Sequence, residues 1–341
     1  MRALRYLVAY ILPITVAISI ISTGWLCYLP LIYGFAIIPL LDQLVGRKVG
    51  NLSDTDRREA ISDKLYDVVI YLTVPVQLGM LFWFLKGIDE PMTTADLAGK
   101  ISAMGMMCGV IGINVAHELG HRPKAHERFM AKTLLATSLY MHFYIEHNKG
   151  HHRNVGTPVD GATARRNEPL YVFLVRTVLQ SFRSAWQITA KELRRRKLPV
   201  VSMHNEMLLM ILIQAAICLL IGMFFSWFTL VCFAMSATMG IVLLETVNYV
   251  EHYGLFRRKV NEFRFEDVEP EHSWNSDHAL GRLVLFELTR HSDHHWEPSK
   301  HYQTLDSMPG ASQLPAGYPA MMLLALFPPL WFRIMNRRLP K

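Results

Sequence analysis

The chain has 341 residues, 51% apolar and 18% charged, with a positive mean hydropathy of +0.20; it is long enough for one large domain or two ordinary ones, and too apolar for a disordered chain. The formal net charge of +7 is what the cytoplasmic loops of a membrane protein carry, which excludes nucleic acid as the partner it would otherwise imply. Cys27, Cys108, Cys218 and Cys232 sit singly in apolar tracts, which excludes a fused Cys-x-x-Cys module and argues against a disulfide framework.

No charged side chain occurs from Tyr6 to Leu41, and from Met207 to Val250 the only one is Glu245. A crossing of hydrocarbon takes about 20 residues, so these tracts hold two spans each. Arg2 and Arg5 precede an apolar run as in a signal peptide, but that run continues past Gly24 without a small-residue cleavage pattern and is read as the first span. The predicted spans are, roughly, Tyr6 to Ile21, Trp25 to Leu41, Leu65 to Leu85, Ile101 to Ala116, Met207 to Phe225 and Phe228 to Val250. Arg47, Lys48, Arg57, Arg58 and Lys64 in the second connection, and the run from Lys191 to Lys197, place those segments in the cytoplasm. Met130 to Ile145 is apolar but has histidines at both ends. A crossing would part His121 from His147 by about 30 Å, so an interfacial or re-entrant helix is expected. Tyr318 to Ile334, broken by Pro319 and by Pro328-Pro329, is expected to pack at the membrane surface. The result is an all-α, polytopic, single integral-membrane domain over 1–341. Its first four spans lie in 1–116, a cytoplasmic and interfacial histidine-rich region in 117–206, the last two spans in 207–250 and a cytoplasmic histidine-rich region in 251–341.

Every histidine cluster falls on the predicted cytoplasmic face. His117 and His121 are four apart at a helix end and share one face. His147, His151 and His152 follow, then His252, then His291, His294 and His295. Imidazole is the commonest metal ligand and suits zinc, copper, iron or nickel; nine rings are enough for two ions with four or five each. Either member of the doublets His151-His152 and His294-His295 can turn toward either ion. Glu118, Glu146, Glu251 and Asp293 stand beside or within the clusters as carboxylates able to fix ring tautomers. His126, His142, His204 and His301 are single and read as surface or packing residues, whereas His272 and His278 are candidates for outer partners. His117-Glu118-Leu119-Gly120-His121 also matches the H-E-x-x-H zinc-protease motif with Glu118 as base. A catalytic zinc needs only three protein ligands, which leaves the other seven histidines unexplained.

Four blocks carry a family resemblance: His117 to His121; Glu146-His147-Asn148-Lys149-Gly150-His151-His152; Asn248-Tyr249-Val250-Glu251-His252-Tyr253-Gly254; and Arg290-His291-Ser292-Asp293-His294-His295. Together they resemble the membrane-bound non-haem di-iron alkane monooxygenases, which belong with the fatty-acid desaturase-like membrane proteins. The likeness extends to Val155 to Asp160, His272 to Ser276 and Tyr302 to Leu305, and so covers most of the chain from about Asn114 to Leu314. Two positions depart from the family pattern: Gly161 stands where proline usually follows the aspartate, and Trp296 follows His295 where a small residue is usual.

The resemblance implies two non-haem irons on the nine histidines in a site facing the cytoplasm, within a bacterial inner membrane. It implies terminal hydroxylation of a medium- to long-chain alkane with dioxygen, and electrons from rubredoxin and its NAD(P)H-dependent reductase, expected as separate chains. An alkane has no polar handle, so selectivity is expected from an apolar channel, with Gly34, Trp83, Met104 and Met107 as candidate walls. The basic run from Lys191 to Lys197 would attract anionic headgroups or an acidic electron carrier. The alternatives are hydroxylation of an aromatic methyl or a fatty acyl chain, and the intramembrane zinc protease.

Overall fold

The structure, a computed structural model, describes residues 2–262 and 264–340. Helices α1 (Arg2–Ile21) and α2 (Gly24–Val45) form the first hairpin. It turns at Gly24, whose φ of +67° is open to glycine at little cost and whose N–H donates to Asp96 Oδ1 at 2.6 Å. A surface helix, α3 (Asp54–Ser62), begins on the Ser53 side chain as N-cap. The second hairpin is α4 (Leu65–Gly87) and α5 (Thr94–His121). Next come α6 (Ala125–Ala136), α7 (143–154) and the 26-residue α8 (Leu170–Arg195). The third hairpin is α9 (Glu206–Phe224) and α10 (Trp227–His252). Four short helices complete the chain: α11 (Ala279–Val284), α12 (His291–Trp296), α13 (Tyr318–Ala325) and α14 (Pro328–Met335).

Among the described residues six helices are long and apolar enough to cross a membrane, and they coincide with the six predicted spans. The Met130 to Ile145 tract does not form a span. Helix α6 has 12 residues, about 18 Å of rise against about 30 Å of hydrocarbon, and the chain then turns through Leu139 at a φ of +51°. Tyr318 to Ile334 likewise divides into α13 and α14 at its proline pair. One departure from an all-helical chain appears in the C-terminal segment: β1 (Lys259–Asn261) pairs antiparallel with β2 (Arg264–Phe265), and β3 (Trp274–Asn275) pairs parallel with β4 (Ser312–Gln313). The second ribbon has a local purpose. It fixes Asn275, whose Oδ1 accepts the Ser292 N–H at 2.8 Å and so caps the helix that carries three histidines.

Helix α5 is the central span: 78% of its most apolar window is buried, against at most 44% for any other span. Its principal partner is α10, and the contact is made through glycines. A Cβ on Gly240 would lie 2.6 Å from Cys108 Cβ and 2.9 Å from Gly109 N, so the two backbones meet with no side chain between them. In lipid, where apolar burial gives helices little reason to associate, such close van der Waals contact is the main attraction. Glu245, the lone charge of the last two spans, is buried where it accepts hydrogen bonds from Tyr140 Oη (2.7 Å), Thr177 Oγ1 (2.9 Å) and Asn248 Nδ2 (3.1 Å). Those bonds offset its desolvation and tie α10 to α8. Asp42 at the end of α2 accepts the N–H groups of Leu280 (2.8 Å) and Gly281 (3.2 Å), which seats α11 on the membrane hairpin.

Helix α8 buries Phe173, Thr177, Ser181, Ala185 and Thr189, one turn apart, and exposes Tyr171, Val175, Leu179 and Phe182 on its other side. With Arg176, Arg183 and the basic run at its end, it has the make-up of a helix lying along an interface.

The glycine contact is testable. Gly240→Ala should lower stability in mixed micelles by about 1–3 kcal/mol through overpacking, read as an earlier midpoint in an SDS titration. Gly79→Ala, where a Cβ meets nothing within 4 Å, should leave the midpoint unchanged or raise it.

Candidate metal centre

Four elements carry the nine histidines. Helix α5 ends on His117 and His121, one turn apart. Helix α10 ends on His252. Helix α12 presents His291 and His295 one turn apart, with His294 beside them. The fourth, α7, widens to a π turn over His147–His151. In a regular helix His147 would share a face with His151, four residues on. The extra residue in the turn brings His147 together with His152 instead, their Nε2 atoms 2.9 Å apart, and sends His151 to the other side. Widened turns of this kind occur mostly at functional sites.

The rings form two groups. The ligating nitrogens of His117, His121, His147, His152 and His294 all lie within 4.8 Å of one another, as do those of His151, His252, His291 and His295. Each doublet is thereby divided, His152 and His294 entering the first group and His151 and His295 the second. In the first group His117 Nε2 is 2.8 Å and His152 Nε2 3.1 Å from His294 Nε2. In the second, His291 Nε2 is 3.0 Å from His252 Nε2 and 2.9 Å from His295 Nε2. The groups adjoin, with the His152 and His295 rings 4.4 Å apart between centroids.

This donor set fits metal ions. A neutral imidazole has one N–H and one lone pair, so several Nε2 atoms facing one another cannot all be satisfied by mutual hydrogen bonds. Among the described residues, buried His121 Nε2 and His151 Nε2 have no partner at all. A cation that accepts every lone pair of a group resolves the conflict, and imidazole donors select zinc, iron, copper or nickel over magnesium or calcium. Burial, reinforced by the neighbouring rings, holds His147, His152, His291, His294 and His295 well below the usual imidazole range. They are therefore neutral at pH 7, the form that binds metal.

His151 differs. Burial lowers its pKa, but the surrounding carboxylates of Asp160, Glu146 and Glu245 together raise it above the usual imidazole value, and Asp160 Oδ2 lies 3.0 Å from His151 Nδ1. With Nδ1 engaged by Asp160, Nε2 is the nitrogen that faces the second group. Asp160 in turn accepts from Thr163 Oγ1 at 2.6 Å. It was not among the carboxylates singled out beside the clusters, since it is nine residues from His151 with no periodicity to connect them; its place in the Val155 to Asp160 block is the one sequence signal that bears on it.

The four expected carboxylates are placed differently. Glu251 Oε2 is 3.3 Å from His291 Nε2. Glu118 accepts from Arg122 Nε (3.1 Å) and the Tyr302 N–H (3.2 Å). Asp293 is held by Lys300 Nζ (2.8 Å) and the Asp306 N–H (2.8 Å), away from the rings. Glu146 is buried against Gly150, where a Cβ would lie 2.6 Å from its Oε1; among the described residues it makes no hydrogen bond to an imidazole. His126 and His204 are exposed and His301 is half-buried. His142 packs between Tyr140 and Phe182. The His272 side chain accepts the Glu269 N–H on Nδ1, and His278 pairs with Ser276 Oγ, so both side chains are engaged outside the centre.

An apolar cavity lies between the spans, walled in part by Gly34, Ile38, Met106, Leu243 and Val247. A smaller pocket shares Asn114, Leu285 and Leu288 with it and reaches His117 and His294. Of the expected wall residues, Gly34 lines the cavity, Trp83 is exposed, and Met104 and Met107 are buried in the helix core. Trp296 is 49% exposed and lines neither space. Gly161 abuts α8, where a Cβ would lie 3.1 Å from Gln180 Cβ.

Residues 97–332 match the fatty acid desaturase family. The chain is similar to the alkane 1-monooxygenase of Pseudomonas putida, 39% identical over 317 residues that cover 92% of this chain and 78% of the relative. It is 40% identical to alkane 1-monooxygenase 2 of Pseudomonas aeruginosa, over 89% of this chain and 81% of that one. With alkane 1-monooxygenase 1 of Alcanivorax borkumensis the identity is 37%, over 92% and 78%.

The His151 partner yields a prediction. Asp160→Asn should weaken metal binding roughly 10- to 100-fold, as loss of a ligand's hydrogen-bond partner does elsewhere, measured by competition with a chelator. His204→Gln, at an exposed position outside both groups, should leave it unchanged.

Proposed function

The chain belongs to the fatty acid desaturase family and, within it, to the alkane 1-monooxygenases, and from that premise we propose that it hydroxylates the terminal methyl of a medium- to long-chain alkane at a pair of irons. The observation that carries this reading is the juncture of two opposite environments. Nine nitrogen donors in two groups stand at the end of an apolar cavity formed by membrane spans. An alkane offers nothing to acid, base or nucleophile, and irons bound in the two groups supply the one-electron and dioxygen chemistry its C–H bond requires. In the overall reaction one atom of dioxygen enters the chain end as hydroxyl and the other leaves as water, consuming two electrons and two protons.

The protein's own contribution is positioning. His117, His121, His147, His152 and His294 would hold one iron, and His151, His252, His291 and His295 the other. Asp160 engages His151 Nδ1, 3.0 Å away, so that Nε2 stays available. Glu251 Oε2, 3.3 Å from His291 Nε2, lies beside the four-histidine group. The cavity walls exclude water and align the substrate by shape, the means of recognition left for a molecule with no polar group.

Topology supports the rest. The domain is read as one membrane unit over 1–341, with 117–206 and 251–341 forming a cap on the cytoplasmic face of a bacterial inner membrane, the side the basic segments select. Electrons are assigned to rubredoxin and its NAD(P)H-dependent reductase. The exposed cations from Lys191 to Lys197 serve either membrane headgroups or that carrier. The zinc-protease reading loses its base: Glu118 is engaged by Arg122 and the Tyr302 backbone, and five histidines surround a position for which such an enzyme uses three protein ligands.

Purified protein should hold about two irons per chain, imidazole donors being suited to iron. His294→Ala should lower that content and abolish octane hydroxylation. With labelled dioxygen, wild type should place the label in 1-octanol. A single zinc per chain, indifferent to the His294 change, together with unlabelled product, is the result that sinks the proposal.

A further inference from the structure

The apolar cavity and the pocket beside the histidines share three residues: Asn114 of α5, Leu285 just after α11, and Leu288. Asn114 is 5% exposed and stands three residues before His117, close to its face of the helix. Its Nδ2 donates to the Leu285 carbonyl at 3.3 Å, so one wall of the neck is braced against the other. The widened turn over Met107–Ile113 ends immediately before it, which lets Gly109 and Val110 line the cavity while Asn114 and His117 reach the smaller pocket.

We infer that Asn114, together with Leu288, forms a neck that admits only the end of an alkane chain and thereby makes the oxidation terminal. The inference rests on the alkane-hydroxylase reading and assigns its regiochemistry to named side chains. A chain end presents the smallest cross-section an alkane has. To bring an internal methylene to the same point, the chain must fold back on itself, which needs roughly twice that width. The brace from Asn114 to Leu285 keeps the opening from relaxing, and the walls beyond it, aliphatic side chains with Tyr33 and Phe35 among them, are apolar and give no other means of telling one carbon from the next. Asn114 is a specificity-determining residue here; it donates nothing to the reaction.

The test is product distribution from octane with the iron-loaded enzyme, for wild type, Asn114→Ala and Leu288→Ala. Both changes remove side-chain bulk from the neck. Each should raise the share of subterminal alcohols roughly tenfold, the usual scale for small changes in an apolar pocket, with iron content unchanged. A fall in rate with 1-octanol still the sole product in both variants would mean a merely structural role and overturns the inference. A second readout needs no turnover: fluorine NMR of ferrous protein without oxygen, using octane fluorinated at its terminal methyl or at its fourth carbon. In wild type the paramagnetic irons should broaden the terminal signal far more than the internal one; in either variant the internal signal should broaden as well. Identical patterns in wild type and variants overturn the neck while leaving the alkane reading intact. Failure of either probe to bind wild type removes the alkane reading, and the neck with it.

Discussion

Nine imidazoles whose lone pairs converge, seven of them buried and His121 and His152 half-buried, impose the condition that the rest of the molecule meets. Rings with Nε2 atoms 2.8–3.1 Å apart are not a hydrophobic core, and water has little access to them. They persist only if four chain segments are held in place against their own preference to separate. The supports are correspondingly specific. Helices α5 and α10 meet through the Gly109–Gly240 contact, which fixes His117 and His121 relative to His252. Asn275 on its short ribbon caps α12, and Arg290 just before that helix donates to the carbonyls of Leu305 (2.6 Å) and Gly50 (3.1 Å).

A second ring of charge surrounds the first without entering it. Arg122, directly after His121, is buried where it meets Asp67 (2.6 Å), Glu127 (3.0 Å) and Glu118 (3.1 Å), and so ties the end of α5 to α4 and α6. A buried guanidinium with three carboxylates is stable because each desolvated charge has a partner, and removing one would leave the others exposed to the low dielectric. These networks absorb most of the carboxylates that neighbour histidines in sequence. Glu118 and Asp293 brace the scaffold, while Asp160, the carboxylate that meets an imidazole Nδ1 among the described residues, comes from a loop.

The apolar cavity and the polar centre are built from the same helices. Helix α5 lines the cavity with Met106, Gly109 and Val110 and then, within three further turns, supplies His117 and His121. Contact between substrate and centre therefore depends on the register of one helix, which the widened turn over Met107–Ile113 sets. Such turns shift a face by one residue without breaking the helix. A second one in α7 separates His151 from His147. The division of the histidines into five and four is thus a property of backbone geometry as much as of residue spacing.

By itself the sequence determined the six spans, because a crossing of hydrocarbon requires a long charge-free run and such runs are visible as composition. It also isolated the nine histidines, since imidazoles clustered at the ends of apolar tracts have few packing explanations, and it placed His117 with His121 through the helical repeat. Tertiary structure alone decided the remainder. The pairing of His147 with His152 depends on a π turn that a regular repeat does not anticipate. Asp160 reaches His151 across a loop, and the neck at Asn114, Leu285 and Leu288 joins residues about 170 positions apart. Periodicity encodes which residues share a helix face; it carries no information about where two faces from distant parts of the chain converge, and in this protein the chemistry lies at that convergence.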